Sequence, residues 1–131
     1  MVKRIILHWS AGRYFPTIFE KNYYHYLIDV EGKIYNGKFT PEDNNSCTDG
    51  KYAAHTGGGN TGSIGVCMCG MYGYKSPEKC GDFPISAIQF EACMKFTAEL
   101  CKNIICLYLQ TRYLLIMNLD RQILNQPVRG K

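Results

Sequence analysis

The chain has 131 residues, a length that suits one domain, and 46% of them are hydrophobic, enough for one core between a sheet and a few helices. The formal net charge of +4 suits an anionic partner, but the basic residues are scattered, which does not indicate a nucleic-acid groove. No apolar run reaches the roughly 20 residues needed to span a bilayer, so we expect no membrane insertion.

The first predicted strand covers Lys3–His8, where the apolar, β-branched run Ile5–Leu7 ends abruptly at His8. A histidine at the end of a buried strand lies where the sheet opens to solvent, and neutral imidazole is the commonest metal ligand. The alternative role for His8 is to cap the strand by hydrogen bonding. A short helix, interrupted by Pro16, is expected within Tyr14–Lys21.

An aromatic, β-rich segment, Tyr24–Asp29, predicts the first arm of a hairpin, and Lys33–Tyr35 predicts the second. Gly32 is the residue expected to adopt a positive φ in the turn. His25 follows Tyr24 directly, so on an extended strand it points to the opposite face, and we assign it a structural role.

After a polar loop, Ala54-His55-Thr56 precedes three glycines and Asn60. Glycines allow close backbone approach to a ligand, but the run lacks the Lys-Ser/Thr ending of a phosphate loop, which excludes nucleotide binding. The next segment, Ser63–Cys69, is apolar on both faces and predicts a central strand.

A helix is predicted over Ala87–Lys102, where Ser86 and Gln89 form a capping box. Its apolar residues recur every fourth position, and this stripe is expected to face the sheet: Ile88, Ala92, Phe96 and Leu100. The sequence therefore predicts a single α/β domain, with a mixed central β-sheet flanked by helices.

There are seven cysteines, an odd number, and the charged first strand is not a secretory signal. We therefore expect mostly reduced thiols in a protein made in the cytoplasm. The Cys67-Met68-Cys69 run is not a CxxC motif, so a structural zinc cluster is not predicted.

Taken in order, these motifs resemble the zinc-dependent N-acetylmuramoyl-L-alanine amidases of the phage lysozyme and peptidoglycan-recognition type. The resemblance covers roughly Val2–Lys102 and rests on five motifs whose order and spacing match. These are His8-Trp9-Ser10, Tyr24–Ile28 with Gly32, Ala54-His55, Asn60–Val66 and Gln89.

The resemblance implies a zinc ion in a surface cleft and hydrolysis of the amide between muramic acid and the first L-alanine of the peptide stem. His8 matches the first zinc ligand, and Tyr24 matches the tyrosine beside the catalytic water. His55 and Asn60 match positions that line the cleft. We therefore expect His8, Tyr24 and His55 to converge at one end of the sheet, with Asn60 nearby. These residue types suit the reaction, because zinc polarises an amide carbonyl and a tyrosine hydroxyl can stabilise the developing oxyanion.

The second and third zinc ligands of the family follow the helix, in a Thr-His-Tyr-Glu-like segment and several residues later. This chain has no histidine after His55, and residues 103–131 show no match. We therefore divide the chain into an incomplete amidase-like domain, 1–102, and a non-matching tail, 103–131. We expect the residues after Asn103 to pack poorly or irregularly on the core. A frameshift near Lys102 is our hypothesis, because the offset frame across Leu114–Asn118 can encode Thr-His-Tyr-Glu, although only the Glu is forced.

Three hypotheses follow. The first is a phage or prophage-type endolysin, a monomer that binds peptidoglycan and Zn²⁺, is made without a signal peptide and acts on the cell wall after release. The second is a peptidoglycan-binding module without catalysis, because two zinc ligands are missing. The third is an unrelated small α/β domain. The number of zinc ligands in the chain distinguishes the first two hypotheses.

Overall fold

A computed structural model describes residues 2–105 and 115–117 of the chain. The elements, in chain order, are β1 (Arg4–Trp9), β2 (Tyr26–Ile28), β3 (Ile34–Asn36), β4 (Ser63–Met68), α1 (Ala87–Ile105) and β5 (Leu115–Met117). Two short 3-10 helices lie in the connections, at Glu20–Asn22 and Pro41–Asn45. The four predicted strands and the predicted helix are present with ends shifted by a few residues, whereas the helix predicted within Tyr14–Lys21 is reduced to the first 3-10 turn.

The strands form one sheet in the order β3-β2-β4-β1-β5. Strands β2, β4, β1 and β5 run parallel to their neighbours, and β3 pairs antiparallel with β2 as the second arm of the hairpin. The predicted mixed α/β sheet is therefore confirmed. Because the central strands are parallel, their carboxyl ends meet at one edge of the sheet, which is where α/β proteins place their sites.

The two faces of the sheet bury different side chains, since successive residues of a strand point to opposite sides. The face that packs on α1 is aliphatic and carries Ile5, Leu7, Ile28, Ile64, Val66 and Met68. The other face carries Leu27, Cys67 and Cys69, packed against Tyr24 and Tyr35. The three histidines of the chain are buried and do not belong to either apolar cluster.

The hairpin turn has the predicted geometry. Gly32 adopts a φ of 89°, and its N–H donates to the Asp29 carbonyl at 2.9 Å. The Asp29 carboxylate accepts from the N–H groups of Glu31 and Lys33 and from the Tyr35 hydroxyl. A buried aspartate thus closes the turn because all of its partners come from the hairpin itself.

The start of α1 is held by Gln89, which is fully buried. The capping box is confirmed, with the Gln89 N–H donating to Ser86 Oγ at 3.0 Å and the Ser86 N–H donating to Gln89 Oε1 at 3.1 Å. In addition, Gln89 Nε2 donates to the carbonyls of Ile28 at 2.9 Å and Cys69 at 2.7 Å. One side chain therefore joins the helix to the ends of β2 and β4.

The helix face that meets the sheet differs from the predicted stripe by one position. Gln89, Cys93 and Thr97 are the buried residues, whereas Ile88 is 65% exposed, so its predicted place in the core is wrong. The other stripe residues are partly buried against the core beside them. The prediction missed this buried face because it used apolar residues alone, whereas Gln89 and Thr97 are polar.

The tail is described only in part. Residues 115–117 form β5, whose backbone pairs in parallel with Ile5–Leu7 at the edge of the sheet. At these three residues the tail is more regular than we predicted. The rest of the predicted irregular tail beyond Ile105 lies outside the described residues.

Among the described residues, six cysteines are not joined in disulfides, and the reduced state stays a prediction. No helix in this part of the chain is both long enough and apolar enough to cross a membrane.

Replacing Gln89 with Ala should lower the free energy of unfolding by about 2–4 kcal/mol, because it removes the cap and two buried hydrogen bonds. Gln89→Glu should lower the free energy of unfolding at least as much, since a carboxylate oxygen would replace Nε2 and face the carbonyl oxygens of Ile28 and Cys69. Urea denaturation measures both effects. Lys95→Ala, on the exposed side of α1, is the matched control and should change the value by less than about 0.5 kcal/mol. An equally small change in Gln89→Ala would contradict the role given to this side chain.

Candidate functional site

The candidate site lies on the sheet face opposite α1, near the carboxyl end of β1. His8 is the fifth residue of β1, is 1% exposed, and pairs across the sheet with Cys67 of β4. Strand alternation places Leu7 in the helix-side core, so His8 must point to the other face.

His55 reaches the site from the loop between the second 3-10 helix and β4. Its ring lies directly over Gly65, where any Cβ would overlap it. His55 Nδ1 is 3.1 Å from His8 Nε2 and 2.8 Å from Thr56 Oγ1. Its Nε2 atom is buried and has no hydrogen-bond partner among the described residues. Because Gly65 has no side chain, the His55 ring can lie against the strand and contact the ring of His8.

Tyr24 completes the group of predicted site residues on this face. Its ring centroid lies 5.2 Å from that of His8, so the predicted convergence of His8, Tyr24 and His55 is found. Burial raises the pKa of the Tyr24 phenol, with a further contribution from the neighbouring Cys67 thiol. The hydroxyl is therefore neutral at physiological pH and can donate a hydrogen bond.

Asn60 is hydrogen-bonded within the loop that carries His55. Its Oδ1 accepts from the Thr56 N–H at 2.8 Å, which closes the glycine-containing loop, and its carbonyl accepts from Asn44 Nδ2 at 3.1 Å. This geometry lets Asn60 fix the loop that carries His55. Contact with a substrate stays a prediction for this residue.

His25 does not point away from Tyr24 as predicted. Its ring centroid lies 5.5 Å from that of His55, on the same face as the site. The prediction was wrong because Tyr24, which precedes β2, departs from the strand alternation. His25 keeps the alternation, since its N–H donates to the Gly65 carbonyl at 3.0 Å and it lies on the same face as Leu27. A Cβ on Gly37 would overlap the Tyr24 carbonyl oxygen, which shows how closely the neighbouring backbone approaches here.

The predicted structural role of His25 is visible in its hydrogen bonds. His25 Nδ1 accepts from the Gly65 N–H at 2.9 Å, and His25 Nε2 lies 2.9 Å from Asn44 Oδ1. Asn44 Nδ2 already donates to the carbonyls of Ala53 and Asn60, so its oxygen is the acceptor and His25 carries its proton on Nε2. Both ring nitrogens are therefore used by the neutral form.

Asn44 was missed at the sequence level. It is fully buried in a polar loop, and its Oδ1 also accepts from the Ala53 N–H at 2.9 Å. It thus ties the second 3-10 helix to the His55 loop and to His25. Nothing in the local sequence distinguishes it from its exposed neighbour Asn45.

The buried histidines are held in their neutral forms. Burial lowers the pKa of His8 to about 3, with smaller contributions from His55 and His25. Burial likewise lowers the pKa of His55 to about 4, and that of His25 also lies below its usual value. Neutral imidazoles are the forms that bind metals.

The spacing of two histidine nitrogens is close to the spacing expected for two ligands of one zinc ion. His8 Nε2 and His55 Nδ1 are 3.1 Å apart, and two nitrogens bound to one tetrahedral zinc at about 2.1 Å would be about 3.4 Å apart. Catalytic zinc needs three protein ligands. Within residues 2–105 and 115–117, no three His, Cys, Asp or Glu side chains come together as a metal site. Zinc binding and the ligand role of His8 stay predictions.

In metal-free protein with EDTA, the unfolding free energy should fall as the pH decreases from 7.5 to 5.5. The folded pKa values of His8 and His55 lie below the unfolded value of 6.5, so the unfolded chain binds more protons in this window. Each should contribute a loss of about 1.4 kcal/mol at pH 5.5. Urea denaturation at several pH values measures this slope. His55→Gln should reduce the slope of the unfolding free energy against pH. An unfolding free energy that does not change with pH would contradict the burial of these histidines in their neutral forms.

Comparison with known proteins identifies a family for this chain. Residues 1–117 match the family described as N-acetylmuramoyl-L-alanine amidase, so the match continues past the helix into β5, and a domain boundary at Lys102 stays a prediction. No curated protein matches the chain.

Several solved structures share the fold. Drosophila peptidoglycan recognition protein SD is 20% identical, with a TM-score of 0.54 over 88% of this chain and 68% of that one. Peptidoglycan recognition protein LE, in complex with tracheal cytotoxin, is 20% identical, with a TM-score of 0.58 over 88% and 68%.

The amidase LysC from Clostridium intestinale is 14% identical, with a TM-score of 0.51 over 78% of this chain and 65% of its own. This chain thus spans about two thirds of each of these structures. The structural likeness supports the fold, and the matched sequence family covers most of the chain. The chain therefore belongs to the N-acetylmuramoyl-L-alanine amidase family.

Proposed function

We propose that this chain is a form, frameshifted near Lys102, of a zinc-dependent N-acetylmuramoyl-L-alanine amidase. Such an enzyme hydrolyses the amide between N-acetylmuramic acid and L-alanine of the peptide stem of peptidoglycan. The observation that carries the proposal is the convergence of His8, Tyr24 and His55 on one sheet face of a chain from this family. His8 lies near the carboxyl end of β1, Tyr24 comes shortly before β2, and His55 lies over Gly65 of β4.

Each side chain has a role that suits its protonation state. His8, neutral and buried at the strand end, would be a zinc ligand, and its fixed strand position removes the entropy cost of orienting it. Bound zinc would supply Lewis-acid polarisation of the amide carbonyl. The neutral Tyr24 hydroxyl would donate a hydrogen bond to the carbonyl oxygen as negative charge develops there. His55 would line the cleft beside them.

The small number of metal-ligating side chains that come together supports a second candidate function. The described residues contain no complete set of three metal ligands, and His8 alone cannot hold zinc tightly. The similar recognition protein LE was solved with a peptidoglycan fragment, tracheal cytotoxin. The chain as written would then bind peptidoglycan without cleaving it.

The biological setting is also a proposal. We infer that the protein is a monomer of phage or prophage origin that reaches the cell wall after release from the cytoplasm. In that setting, an amidase with an intact ligand set would lyse the host wall, whereas a chain without one would only attach to it.

The 131-residue chain should retain negligible zinc and release negligible peptide from peptidoglycan. A version with the alternate reading frame restored after Lys102 should bind about one zinc and release peptide stems, because the missing ligands would return. Elemental analysis and chromatography of soluble products measure the two properties.

In the restored version, His8→Ala should abolish both properties, whereas Lys51→Ala, in an exposed loop, should change neither. Stoichiometric zinc and wall cleavage by the chain as written would disprove the frameshift hypothesis. Wall binding without zinc or cleavage would favour the second function.

Tyr24→Phe in the restored version should lower kcat by about 10²–10³-fold, the usual cost of removing one oxyanion hydrogen bond. Zinc content and binding of muramyl peptide should stay unchanged, because only the hydroxyl is lost. Steady-state kinetics with a soluble muramyl peptide separates kcat from KM. A variant that keeps full kcat would remove Tyr24 from the proposed chemistry.

A further inference from the structure

A small pocket with a volume of about 260 Å³ lies at the amino end of β1, beside the glycine run. Its lining residues are Arg4, Cys47, Gly58, Asn60 and Thr61. Arg4 is the first residue of β1, whereas His8 of the candidate site lies near the other end of that strand. The volume is below the roughly 300 Å³ at which pockets begin to hold drug-sized ligands, so this pocket suits a small ligand.

The guanidinium of Arg4 is held at this pocket by two hydrogen bonds. Arg4 Nε donates to Ser63 Oγ at 2.7 Å, and Arg4 Nη2 donates to the Thr61 carbonyl at 3.1 Å. A guanidinium has five N–H groups, so those that Ser63 and Thr61 do not engage are available to a ligand. The orientation of the cation is therefore set before any ligand arrives, which lowers the entropy cost of binding.

The positive charge of Arg4 is not balanced by a neighbouring carboxylate. In the described part of the chain, this half-buried side chain forms no ion pair with an aspartate or a glutamate. The acidic residue closest in sequence to Cys47 is Asp49, and its carboxylate accepts from the Lys51 N–H at 2.9 Å. A cation in a concave site without a counter-ion raises the local concentration of anions, so the pocket favours a negatively charged ligand.

The loop on the other side of the pocket adds neutral hydrogen-bond donors. Asn60 Oδ1 accepts from the Thr56 N–H at 2.8 Å, which leaves the amide N–H groups of Asn60 as donors. Gly58 has a φ of 76° and open space where a Cβ would lie, so its backbone is accessible to a ligand. With Arg4 on β1, these donors come from two separate segments. Such an arrangement suits the several oxygens of a tetrahedral anion better than the two oxygens of a carboxylate.

We propose that this pocket binds a phosphate group, with Arg4 as the cationic partner and residues 58–61 as the source of neutral hydrogen-bond donors. The glycine run lacks the lysine of a nucleotide-binding loop and the pocket is small, so the ligand is inorganic phosphate or a small phosphate ester. Because β1 and the loop that carries His55 both contribute to the pocket, bound phosphate would connect them and stabilise that loop. This binding requires neither zinc nor peptidoglycan.

The test titrates the 131-residue chain with inorganic phosphate and with glycerol 3-phosphate at constant ionic strength, and it follows the backbone amide NMR signals of residues 56–61. We expect saturable shifts with a dissociation constant on the order of 1 mM, as suits a small ligand in an open pocket. The tighter of the two probes distinguishes free phosphate from a phosphate ester. Chloride and acetate over the same concentrations should produce no saturable shift.

Two pairs of variants assign the binding to this pocket. Arg4→Gln should weaken phosphate binding at least about tenfold. Arg13→Gln, which removes a guanidinium stacked on Tyr72 and Phe83, should leave the affinity unchanged. Thr61→Asp would place a carboxylate at the pocket and should also weaken binding at least about tenfold, whereas the neutral Thr61→Asn should stay within about twofold of wild type. Both Thr61 variants keep the backbone carbonyl that accepts from Arg4.

The outcomes test this inference separately from the proposed function. Equal affinities for phosphate and acetate would overturn the phosphate assignment, because a carboxylate would then satisfy the pocket equally well. Equal losses in Arg4→Gln and Arg13→Gln, or in both Thr61 variants, would overturn the pocket as the site of binding. If circular dichroism shows that Arg4→Gln does not fold, the Thr61 pair decides. None of these measurements involves zinc or wall cleavage, so a negative result would leave the proposed function intact.

Discussion

The arrangement of this fold depends on the buried amide of Gln89. A glutamine inside a protein is costly unless each of its polar atoms has a partner, and here the oxygen and both amide hydrogens are used. Because those partners are the helix cap and the ends of β2 and β4, the amide sets the position of α1 along the sheet. Aliphatic packing alone would allow the helix to slide, whereas directional bonds at its first turn select one position.

On the opposite face of the sheet, hydrogen bonds of buried polar side chains likewise position the residues of the site. His25 accepts from the backbone of β4 and donates to Asn44, and Asn44 in turn holds the loop that delivers His55. The polar network therefore connects three segments that are distant in sequence. Buried networks of this kind rigidify a structure when every member is satisfied. The reacting groups consequently lie on a scaffold that is ordered by hydrogen bonds rather than by a large apolar core.

The sequence predicts those parts of the structure that depend on neighbouring residues. The strand that ends at His8, the turn at Gly32 and the capping box of Gln89 each follow from a local pattern, and all three are present. The exposed Ile88 was not predictable from apolar periodicity, because the polar Gln89 occupies the buried position beside it.

The site shows the same division between local and distant interactions. The motifs of the family indicated His8, Tyr24 and His55, and the structure brings them together. The position of His25 and the contribution of Asn44 depend on contacts between distant segments, which no local pattern contains.

Gly65 shows that the requirements of the site limit the stability of the sheet. A glycine in a strand costs about 0.5–1 kcal/mol relative to alanine, and β4 is the strand at the centre of this sheet. Any larger residue there would strengthen the strand but displace the His55 ring, which fills the space that a side chain would occupy. Evolution towards higher stability is therefore blocked at this position for as long as the imidazole is needed, a local trade-off between stability and activity.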